Sequence, residues 1–488
     1  MEKSQLLLDA ANIIDELTGA NEAFTQTFPG DLNTRQPIHT VYGGAHLFKA
    51  ETPKKLATIA LKSLETYAPT PFSLAKILKL AGWERWVKIS SEEEISLTQE
   101  ALAPNSDLYK SDFQAWLACA VYARTKEKLS AEAIEDFRID FEDGYGNRTN
   151  LEEDQDAIRS AKELARGLEQ NTLPPYMGIR IKALHEETKA RAIKTLDLFV
   201  STLVDATGGK LPNNFLVTLP KVSIPEQVKA LKRLFELLEA RLDLPKKSFK
   251  MEIMVESPQA IFNRAGQINL PQLLSAASGR CVAMHFGTYD YTADCNVIAK
   301  YQTMAHPLCD FARNMMLNTL SGTGVFLSDG ATNVMPVGPH KPQDAKPLTA
   351  QHMEENRAVV HAAWKLGYDH IRNSLAGGLY QGWDLHPAQL PIRYAASYTF
   401  FLESLEQSAQ RLHHFMEQAA QASLLEGVFD DAASAQGLLN YFLKALNCGA
   451  ISPKEVSMAG LTMEELKTRS FLKILDRRRQ KGREQIEH

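Results

Sequence analysis

Residues 176–257 read YMGIRIKAL (176–184), HEETKARAIKTLDLFVSTLVDA (185–206), NFLVTLPKV (214–222), PEQVKALKRLFELLEARL (225–242) and KMEIMVES (250–257), with short links between them. The first, third and fifth segments are short, apolar and rich in β-branched residues, as strands are. The second and fourth segments carry apolar residues at helical spacing. This alternation predicts parallel strands joined by crossover helices.

The same pattern extends in both directions along the chain. Five further apolar runs are HTVYGGAHLF (39–48), FRIDFEDGYG (137–146), RCVAMHFGTYDY (280–291), GVFLSDGAT (324–332) and HIRNSLAGGL (370–379). Eight strand–helix units over this length favour a TIM (β/α)₈ barrel. An open, doubly wound sheet is the alternative, because it has the same alternation of elements.

The segments outside the barrel pattern are helical. Residues 1–36 form an N-terminal helix (3–20) and a loop, and residues 37–395 form the barrel. Within the barrel, residues 65–132 contain two or three helices broken by prolines, which predicts a helical insertion. The pattern after residue 395 is only helical, so residues 396–488 are predicted to be a helical extension. Its predicted helices are 398–424, 432–447, 453–458 and 462–482.

Composition excludes several classes of protein. The chain has 54 basic and 59 acidic side chains, a net charge of −5, so it lacks the basic excess of a nucleic-acid-binding protein. No apolar stretch reaches 18 residues, which argues against a membrane span. The five cysteines form no CxxC pair and are odd in number, which favours free thiols in a reducing compartment. We therefore expect a soluble, cytoplasmic protein.

Charged residues follow run after run of the predicted strands. In a TIM barrel these positions converge on the C-terminal mouth, where active sites form. The residues concerned are Asp140, Glu142, Asp143, Arg180, Lys221, Glu256, Asp290 and Asp329. Each one alone is also explained by an ordinary ion pair or a helix cap. A ring of acids with one or two cations, however, is what a divalent-metal site needs.

Other motifs are weaker or missing. His386 in WDLHP is a binding candidate or a packed histidine, and His46 is a lone histidine beside a Gly-Gly turn. Gly43-Gly44 and Gly377-Gly378 lack the spacing of a dinucleotide-binding loop. The sequence contains no HExxH, Walker A or GxSxG motif.

Six segments in order resemble the citrate lyase β-subunit-like (HpcH/HpaI aldolase) family, which includes malyl-CoA lyases. They are FRIDFEDG, GIRIK, LPK, MVES, FGTYDYTAD and LHPAQ, and the resemblance covers roughly residues 37–395. The piece around GTYDY is also similar to the metal-binding segment of malate synthase. Three departures stand out: Lys182 replaces the family's usual Asn, Ser257-Pro258 replaces Thr-Ala, and VYGGAHLF replaces a Pro-Gly turn that helps hold a CoA thioester.

The resemblance implies roles for single residues. Glu256 and Asp290 would ligate Mg²⁺, and Arg180 would bind the oxo-acid substrate, with Lys221 and His386 as further substrate contacts. Another set of acids, Asp140, Glu142 and Asp143, would orient Arg180 or metal-bound water. The catalytic base is left open between Asp384 and a carboxylate of the C-terminal extension or of a neighbouring subunit.

The resemblance predicts a Mg²⁺-dependent carbon–carbon lyase that acts on a small hydroxy acid or its CoA thioester. Such an enzyme releases an oxo acid such as glyoxylate, pyruvate or oxaloacetate. A condensing enzyme of malate synthase type and a barrel that serves only as a non-catalytic scaffold are the alternatives. We also expect a homo-oligomer, because related lyases assemble and the C-terminal helices carry apolar faces. Those faces are made by Phe400, Phe401, Leu405, Leu438, Leu439, Phe442 and Leu443.

Overall fold

Eight parallel strands close into a barrel in sequence order, which confirms the predicted TIM barrel and excludes the open sheet. The computed structural model describes residues 6, 9–30, 34–103, 106–342, 347–417, 423–425, 428–430 and 432–486. The strands of the barrel are β1 (His39–Gly44), β2 (Asp136–Asp140), β3 (Tyr176–Arg180), β4 (Phe215–Leu219), β5 (Lys250–Val255), β6 (Cys281–Phe286), β7 (Phe326–Ala331) and β8 (Gln381–Asp384).

The prediction of the last strand, residues 370–379, was wrong. Residues 370–376 belong to a long helix, Ala350–Ala376, which is capped by Gly377, and the eighth strand follows at Gln381–Asp384. The apolar residues Ile371 and Leu375 are four apart, so they lie on one face of that helix and pack in the core. The barrel closes one short segment later than the sequence pattern indicated.

The helices surround the barrel and extend beyond it. Before β2 lie α1 (Ala11–Thr27), α2 (Thr52–Tyr67), α3 (Pro71–Leu78), α4 (Ser91–Leu102), α5 (Leu108–Ser111) and α6 (Phe113–Glu132). Between β2 and β8 lie α7 (Asn150–Glu169), α8 (Lys189–Ala206), α9 (Pro225–Arg241), α10 (Pro258–Ile261), α11 (Leu270–Ala276), α12 (Thr288–Asp294), α13 (Pro307–Leu320) and α14 (Ala350–Ala376). After β8 lie α15 (Leu390–Leu402), α16 (Leu405–Glu417), α17 (Ala432–Asn447), α18 (Pro453–Val456), α19 (Met463–Lys467) and α20 (Phe471–Ile486).

The apolar core lies between the strands and the helices, while much of the barrel interior is polar. Alternate strand residues face outward, and residues such as Phe137, Ile139 and Ile253 are buried there. Inward-facing side chains bond to one another, as Thr40 Oγ1 on β1 does to Asp136 Oδ2 on the adjacent β2 at 3.0 Å. This division allows polar groups to reach the C-terminal mouth from inside the barrel.

The two regions outside the barrel pattern pack on the same chain. In the insertion between β1 and β2, α6 packs against α2, α3 and α15. In the C-terminal extension, Phe401, Leu405 and Phe442 are almost completely buried within the chain. The apolar faces that we expected at a subunit interface are therefore largely covered by this chain.

The C-terminal extension is not only helical, as the sequence predicted. Residues Ser423–Leu425 and Val428–Asp430 pair as a short antiparallel hairpin, β9 and β10. The predicted helix 398–424 is observed as α15 and α16 with a break near residue 403, and its residues 418–422 lie outside the described residues. The N-terminal helix is also shifted: it is α1 rather than 3–20, and residues 1–5, 7 and 8 lie outside the described part.

The exposed surface has one notable feature at its N-terminal end. Helix α1 buries none of its residues, and Ile13, Leu17 and Phe24 are among its exposed apolar side chains. Among the described residues, no helix combines the length and apolarity needed to cross a membrane.

We predict that the C-terminal extension folds as part of the barrel domain. Phe442 is fully buried on α17, which packs against α15, α16 and α20. Phe442→Ala should lower the free energy of unfolding by about 3 kcal/mol or more, because it removes a buried ring and leaves a cavity. Urea denaturation measures this change. The control Leu472→Ala, at a side chain that is 64% exposed, should change it by less than about 0.5 kcal/mol.

Candidate active site

A buried ion pair stands at the C-terminal mouth of the barrel. Arg180, the last residue of β3, is 2% exposed. Its Nε donates to Asp140 Oδ1 at 2.7 Å, and its Nη2 donates to Asp140 Oδ2 at 2.5 Å. The two residues are register partners on adjacent strands, so the backbone itself places them side by side. This bidentate pair fixes two of the five guanidinium donors.

Asp140 also shapes the loop that follows β2. Its Oδ1 accepts the backbone N–H of Glu142 at 3.0 Å, and its Oδ2 accepts that of Gly144 at 2.7 Å. A side chain at Gly144 would place its Cβ 2.6 Å from Asp140 Oδ2, so glycine is needed for this close approach. The carboxylate that holds Arg180 thereby also holds Glu142 and Asp143 at the mouth.

Glu142, Asp143 and Lys221 form a second charged group beside Arg180. Glu142 Oε2 lies 3.2 Å from Arg180 Nη1, and its Oε1 accepts a hydrogen bond from Lys221 Nζ. The same ammonium lies 3.1 Å from Asp143 Oδ1 and 3.8 Å from Asp290 Oδ2. Lys221 therefore links the loop after β2 to the residues that follow β6.

Burial and charge act in opposite directions on these groups. Burial raises the pKa of Glu142 above its usual value, although Arg180 opposes the change. Burial would also raise the pKa of Asp143, but the charges of Lys221 and Arg180 outweigh it and lower that pKa. Burial would lower the pKa of Lys221, but Glu142 and the other carboxylates raise it above the usual value. The ammonium therefore stays charged at neutral pH.

Glu256 follows β5 and lies close to Asp290, near the start of α12. Glu256 is 3% exposed, and its Oε1 accepts the backbone N–H of Lys221 at 2.5 Å. The left-handed backbone of Lys221, with φ of 51°, aims this N–H. A Cβ at Gly287 would lie 2.5 Å from Glu256 Oε2, so this glycine lets the strand-end loops approach each other. Burial, and then the charge of Asp290, raise the pKa of Glu256 to about 8.

Glu256 and Asp290 are the mouth acids whose chemistry suits a divalent cation. Across the described ranges, no group of three His, Cys, Asp or Glu side chains is arranged to hold a metal ion. The pair Glu256 and Asp290 offers oxygen ligands, which suit Mg²⁺, an ion that keeps several waters. Two mutually repelling carboxylates, one of them buried, are also a set that a cation would stabilise. The chemistry of these two residues therefore fits Mg²⁺ with water completing its coordination.

Asp384 and Asp329 lie on the outer side of the barrel, apart from this group. Asp384 pairs with Arg393 on α15, at 3.0 Å, and with His39 on β1, at 3.4 Å. Its neighbour Trp383 points inward instead, as strand alternation requires. Asp329 pairs with Arg313 on α13 and accepts a hydrogen bond from Ser374 on α14. Neither acid is brought together with Arg180.

His386 and Lys182 have local partners. His386 follows β8, and its Nδ1 accepts the backbone N–H of Ala388 at 3.1 Å, so it caps a short 3₁₀ helix. Burial lowers the pKa of His386, which favours the neutral ring. Lys182, at the position where the family usually has Asn, donates to Phe141 O at 2.8 Å and to Glu153 on α7 at 2.6 Å. Lys182 thus ties β3 to α7.

Sequence reasoning missed the aromatic and polar residues beneath Arg180. The Arg180 guanidinium lies 4.7 Å from the ring centre of Tyr42 and 5.5 Å from that of Trp383. Below them, Tyr42 Oη contacts Glu252 and His285, which are both fully buried. A possible signal was the alternation of HTVYGG, which puts Thr40 and Tyr42 on the same face of β1.

Comparison with protein families identifies the chain. A family model described as "Domain of unknown function (DUF6986)" matches residues 17–474. The chain belongs to this family. Comparison with curated proteins found no match. The matching family model is thus not the citrate lyase β-subunit-like family that the six motifs resemble.

Solved structures with a similar fold include proteins named as citrate lyases. A citrate lyase from Burkholderia xenovorans LB400 is 15% identical, with a TM-score of 0.49, over 70% of this chain and 92% of that one. CitE from Mycobacterium tuberculosis, in complex with magnesium, acetoacetate and coenzyme A, is 16% identical, with a TM-score of 0.41, over 67% and 95%. Similarity at this level concerns the fold alone.

We predict that the Asp384–Arg393 pair contributes to stability. Burial would raise the pKa of Asp384, but Arg393 and then His39 outweigh it and lower that pKa to about 2. Asp384→Asn leaves a buried guanidinium without its carboxylate, which should lower the free energy of unfolding by about 3 kcal/mol at pH 7. Urea denaturation of the wild type and the variant measures this difference.

The contribution of the Asp384–Arg393 pair to the free energy of unfolding should depend on pH in a defined way. The pKa of Asp384 is lower in the folded state than the value near 3.9 of an unfolded Asp. Its contribution is therefore complete above about pH 4 and is lost as the pH falls towards about 2. The two unfolding free energies should converge over that range. Asp369→Asn, which breaks the exposed pair with Lys365, is the control and should cost less than about 0.5 kcal/mol at any pH.

Proposed function

We propose that the chain is a Mg²⁺-dependent carbon–carbon lyase that cleaves a small hydroxy acid or its CoA thioester and releases an oxo acid. One observation carries this proposal. A fully buried Arg180, held by Asp140, stands at the barrel mouth with a carboxylate pair, Glu256 and Asp290, at neighbouring strand ends. The guanidinium of Arg180 can bind a carboxylate, and the two acids beside it can bind a metal cation. Together they suit a substrate that carries a carboxylate and a reactive oxygen.

Arg180 is the residue that we assign to the substrate carboxylate. Its Nε and Nη2 each donate to Asp140, and its Nη1 faces Glu142. Within the part of the chain that the structure describes, the second N–H of Nη2 has no partner, so it is the donor left for a substrate. A planar guanidinium whose orientation is already fixed loses little entropy when it binds a carboxylate.

Glu256 and Asp290 would hold the Mg²⁺, which when bound polarises the 2-oxygen of the acid as a Lewis acid. Lys221 compensates part of the remaining negative charge, because its ammonium lies between Glu142, Asp143 and Asp290. A substrate anion would otherwise meet five carboxylates and only one guanidinium. Lys221 therefore lowers the electrostatic cost of bringing an acid into the mouth.

Cleavage requires one proton to leave the substrate. A base takes the hydroxyl proton, the O–H electron pair becomes the new C=O bond, and the C–C pair leaves with the departing enolate. Glu142 and Asp143 are the mouth carboxylates left for this proton, because Asp140 is bound to Arg180 and the other two acids would bind the metal. Asp384, the base considered from the sequence, is paired with Arg393 on the outer side of the barrel.

The reaction is tested by a screen of hydroxy acids and their CoA thioesters, with and without Mg²⁺. Release of an oxo acid only when Mg²⁺ is present supports the proposal. Efficient condensation of acetyl-CoA with glyoxylate, without net cleavage of any acid, would instead identify a malate synthase-type enzyme. Absence of both reactions, together with no rise in melting temperature on adding Mg²⁺ or oxo acids, would favour a non-catalytic scaffold.

We predict that metal and acid binding can be separated by two substitutions. Asp290→Asn should weaken Mg²⁺ binding by roughly 10-fold or more, because the metal loses one charged ligand. Arg180→Lys should leave Mg²⁺ binding unchanged but weaken oxo-acid binding by roughly 10-fold or more, because an ammonium offers no planar fork. Titration calorimetry with Mg²⁺ and then with glyoxylate measures both effects.

A matched control is available for the metal-binding variant. Asp294→Asn removes a carboxylate at the other end of the same short helix, α12, and should leave Mg²⁺ binding at the wild-type value. If Asp290→Asn also binds Mg²⁺ as tightly as the wild type, the proposed ligand pair is wrong. The acids after β2 would then become the better ligand candidates.

We also predict a homo-oligomer, with α1 as the surface on which a second copy packs. Its exposed side chains Ile13, Leu17 and Phe24 are 67%, 58% and 64% accessible in the single chain. Size-exclusion chromatography with light scattering should give a multiple of the chain mass. The double change Leu17→Glu and Phe24→Glu should reduce it, whereas Thr18→Glu, on a different side of α1, should not. A single-chain mass for the wild type at micromolar concentration would contradict this prediction.

A further inference from the structure

The guanidinium of Arg180 is contacted by two acids at its N–H groups and lies over two aromatic rings. Asp140 and Glu142 contact its N–H groups, which lie in the guanidinium plane. Contacts of this kind leave the group free to tilt about the line between the two acids. Tyr42 lies 4.7 Å from its centre, and Trp383 lies 5.5 Å from it. The rings supply the contact that limits this tilt.

Tyr42 is itself held from beneath by fully buried polar groups. Its Oη donates to Glu252 Oε1 at 3.1 Å and lies 3.2 Å from His285 Nδ1. Burial lowers the pKa of His285 to about 4, so the ring is neutral, and a proton on Nδ1 allows it to donate to the Tyr42 oxygen. Glu252 also accepts a hydrogen bond from Thr218 at 2.8 Å. The two groups that touch the phenol oxygen therefore belong to other strands, Glu252 to β5 and His285 to β6.

We propose that Tyr42 is a positioning residue that sets the tilt of Arg180 towards the substrate carboxylate. The ring supports the guanidinium, and Glu252 and His285 fix the ring. This inference rests on the proposed function, because the ligand that Arg180 receives is taken to be an acid anion. It extends that function because Tyr42, which does not touch the substrate, would help Arg180 to select a planar carboxylate.

A simpler role for Tyr42 is to fill the interior of the barrel. The two roles differ in what they predict. If Tyr42 only fills space, its loss lowers the stability of the protein, but Asp140 and Glu142 still orient Arg180. Loss of a positioning ring weakens the binding of a planar anion and exposes the Arg180 N–H groups to exchange, while Mg²⁺ binding by Glu256 and Asp290 stays unchanged.

The first experiment measures binding of oxalate, a stable planar dianion, by calorimetry at saturating Mg²⁺. Tyr42→Leu removes the ring and should weaken oxalate binding by roughly 10-fold, within the range of a buried cation–π contact. Tyr42→Phe keeps the ring but loses the anchor to Glu252, and it should weaken binding by about 3-fold. Mg²⁺ binding should remain within about 2-fold of the wild type in both variants.

The matched control is Tyr394→Leu. Tyr394 is also fully buried, but it lies on α15 outside the strands, where its Oη donates to the backbone oxygen of Ala133 at 3.0 Å and its ring packs edge-on against His39. The change removes a buried ring of the same size, so it should lower stability comparably. It should leave oxalate binding at the wild-type value.

The second experiment follows Arg180 directly, without any ligand. The exchange rate of its Nε–H is measured by NMR, with the signal assigned by its loss in Arg180→Lys. Tyr42→Leu should increase this rate by roughly 10-fold, whereas Tyr394→Leu should leave it unchanged. If Tyr42→Leu does not fold, the same measurements are made on Tyr42→Phe and Glu252→Gln, because both variants keep the volume of the site.

The two experiments separate the inference from the proposed function. A wild type that binds neither Mg²⁺ nor oxalate rejects the lyase proposal, while the exchange rates still decide the role of Tyr42. If oxalate binding and Nε–H exchange both stay at wild-type values in folded Tyr42 variants, Tyr42 only fills the barrel. Equal loss of oxalate binding in Tyr394→Leu would also overturn the positioning role.

Discussion

A guanidinium is buried at the mouth of the barrel, and much of the surrounding structure follows from the cost of burying its charge. An ion removed from water is strongly destabilising unless it is paired and hydrogen-bonded. Asp140 supplies the pair, but it is buried as well and needs donors of its own. Those donors are the N–H groups of Glu142 and Gly144, so pairing one cation fixes the loop that carries the other mouth acids.

A second buried guanidinium, deeper in the barrel, must also be paired. Arg138 lies one inward position below Asp140 on β2, and it bonds to Asp136 and Thr218 and lies 3.5 Å from Glu252. A TIM barrel normally fills this space with bulky apolar side chains. Here a Cβ at Gly178 would lie 2.1 Å from the backbone oxygen of Leu216 and 3.1 Å from Arg138 Cδ, so glycine is needed for the close approach of β4 and also leaves room beside the arginine. Stability must then come mainly from the apolar layer between strands and helices.

Sequence reasoning located the strands that contain several apolar residues and missed the strand that does not. β2 to β7 each contain two or more apolar side chains, and the charged residues at their ends led to the candidates Arg180, Glu256 and Asp290. β8 is only QGWD, whose single apolar side chain is Trp383, while the nearby run HIRNSLAGGL is the end of a helix. Asp384 was considered as the catalytic base, but it points outward to Arg393, because a shift of one position reverses the face of a strand.

Alternation along a strand also stops being informative once the strand ends, and two lysines show the consequence. Lys182 lies two positions beyond Arg180, yet its ammonium turns to Glu153 on α7. Lys221 lies two positions beyond Leu219, an outward residue, yet its ammonium reaches the mouth acids, because its left-handed backbone redirects the chain. That conformation costs on the order of 1 kcal/mol for a residue with a Cβ. It is offset by the hydrogen bond from the Lys221 N–H to Glu256 and by the ion pairs of its side chain, so the location of this cation depends on contacts between strands that no local pattern encodes.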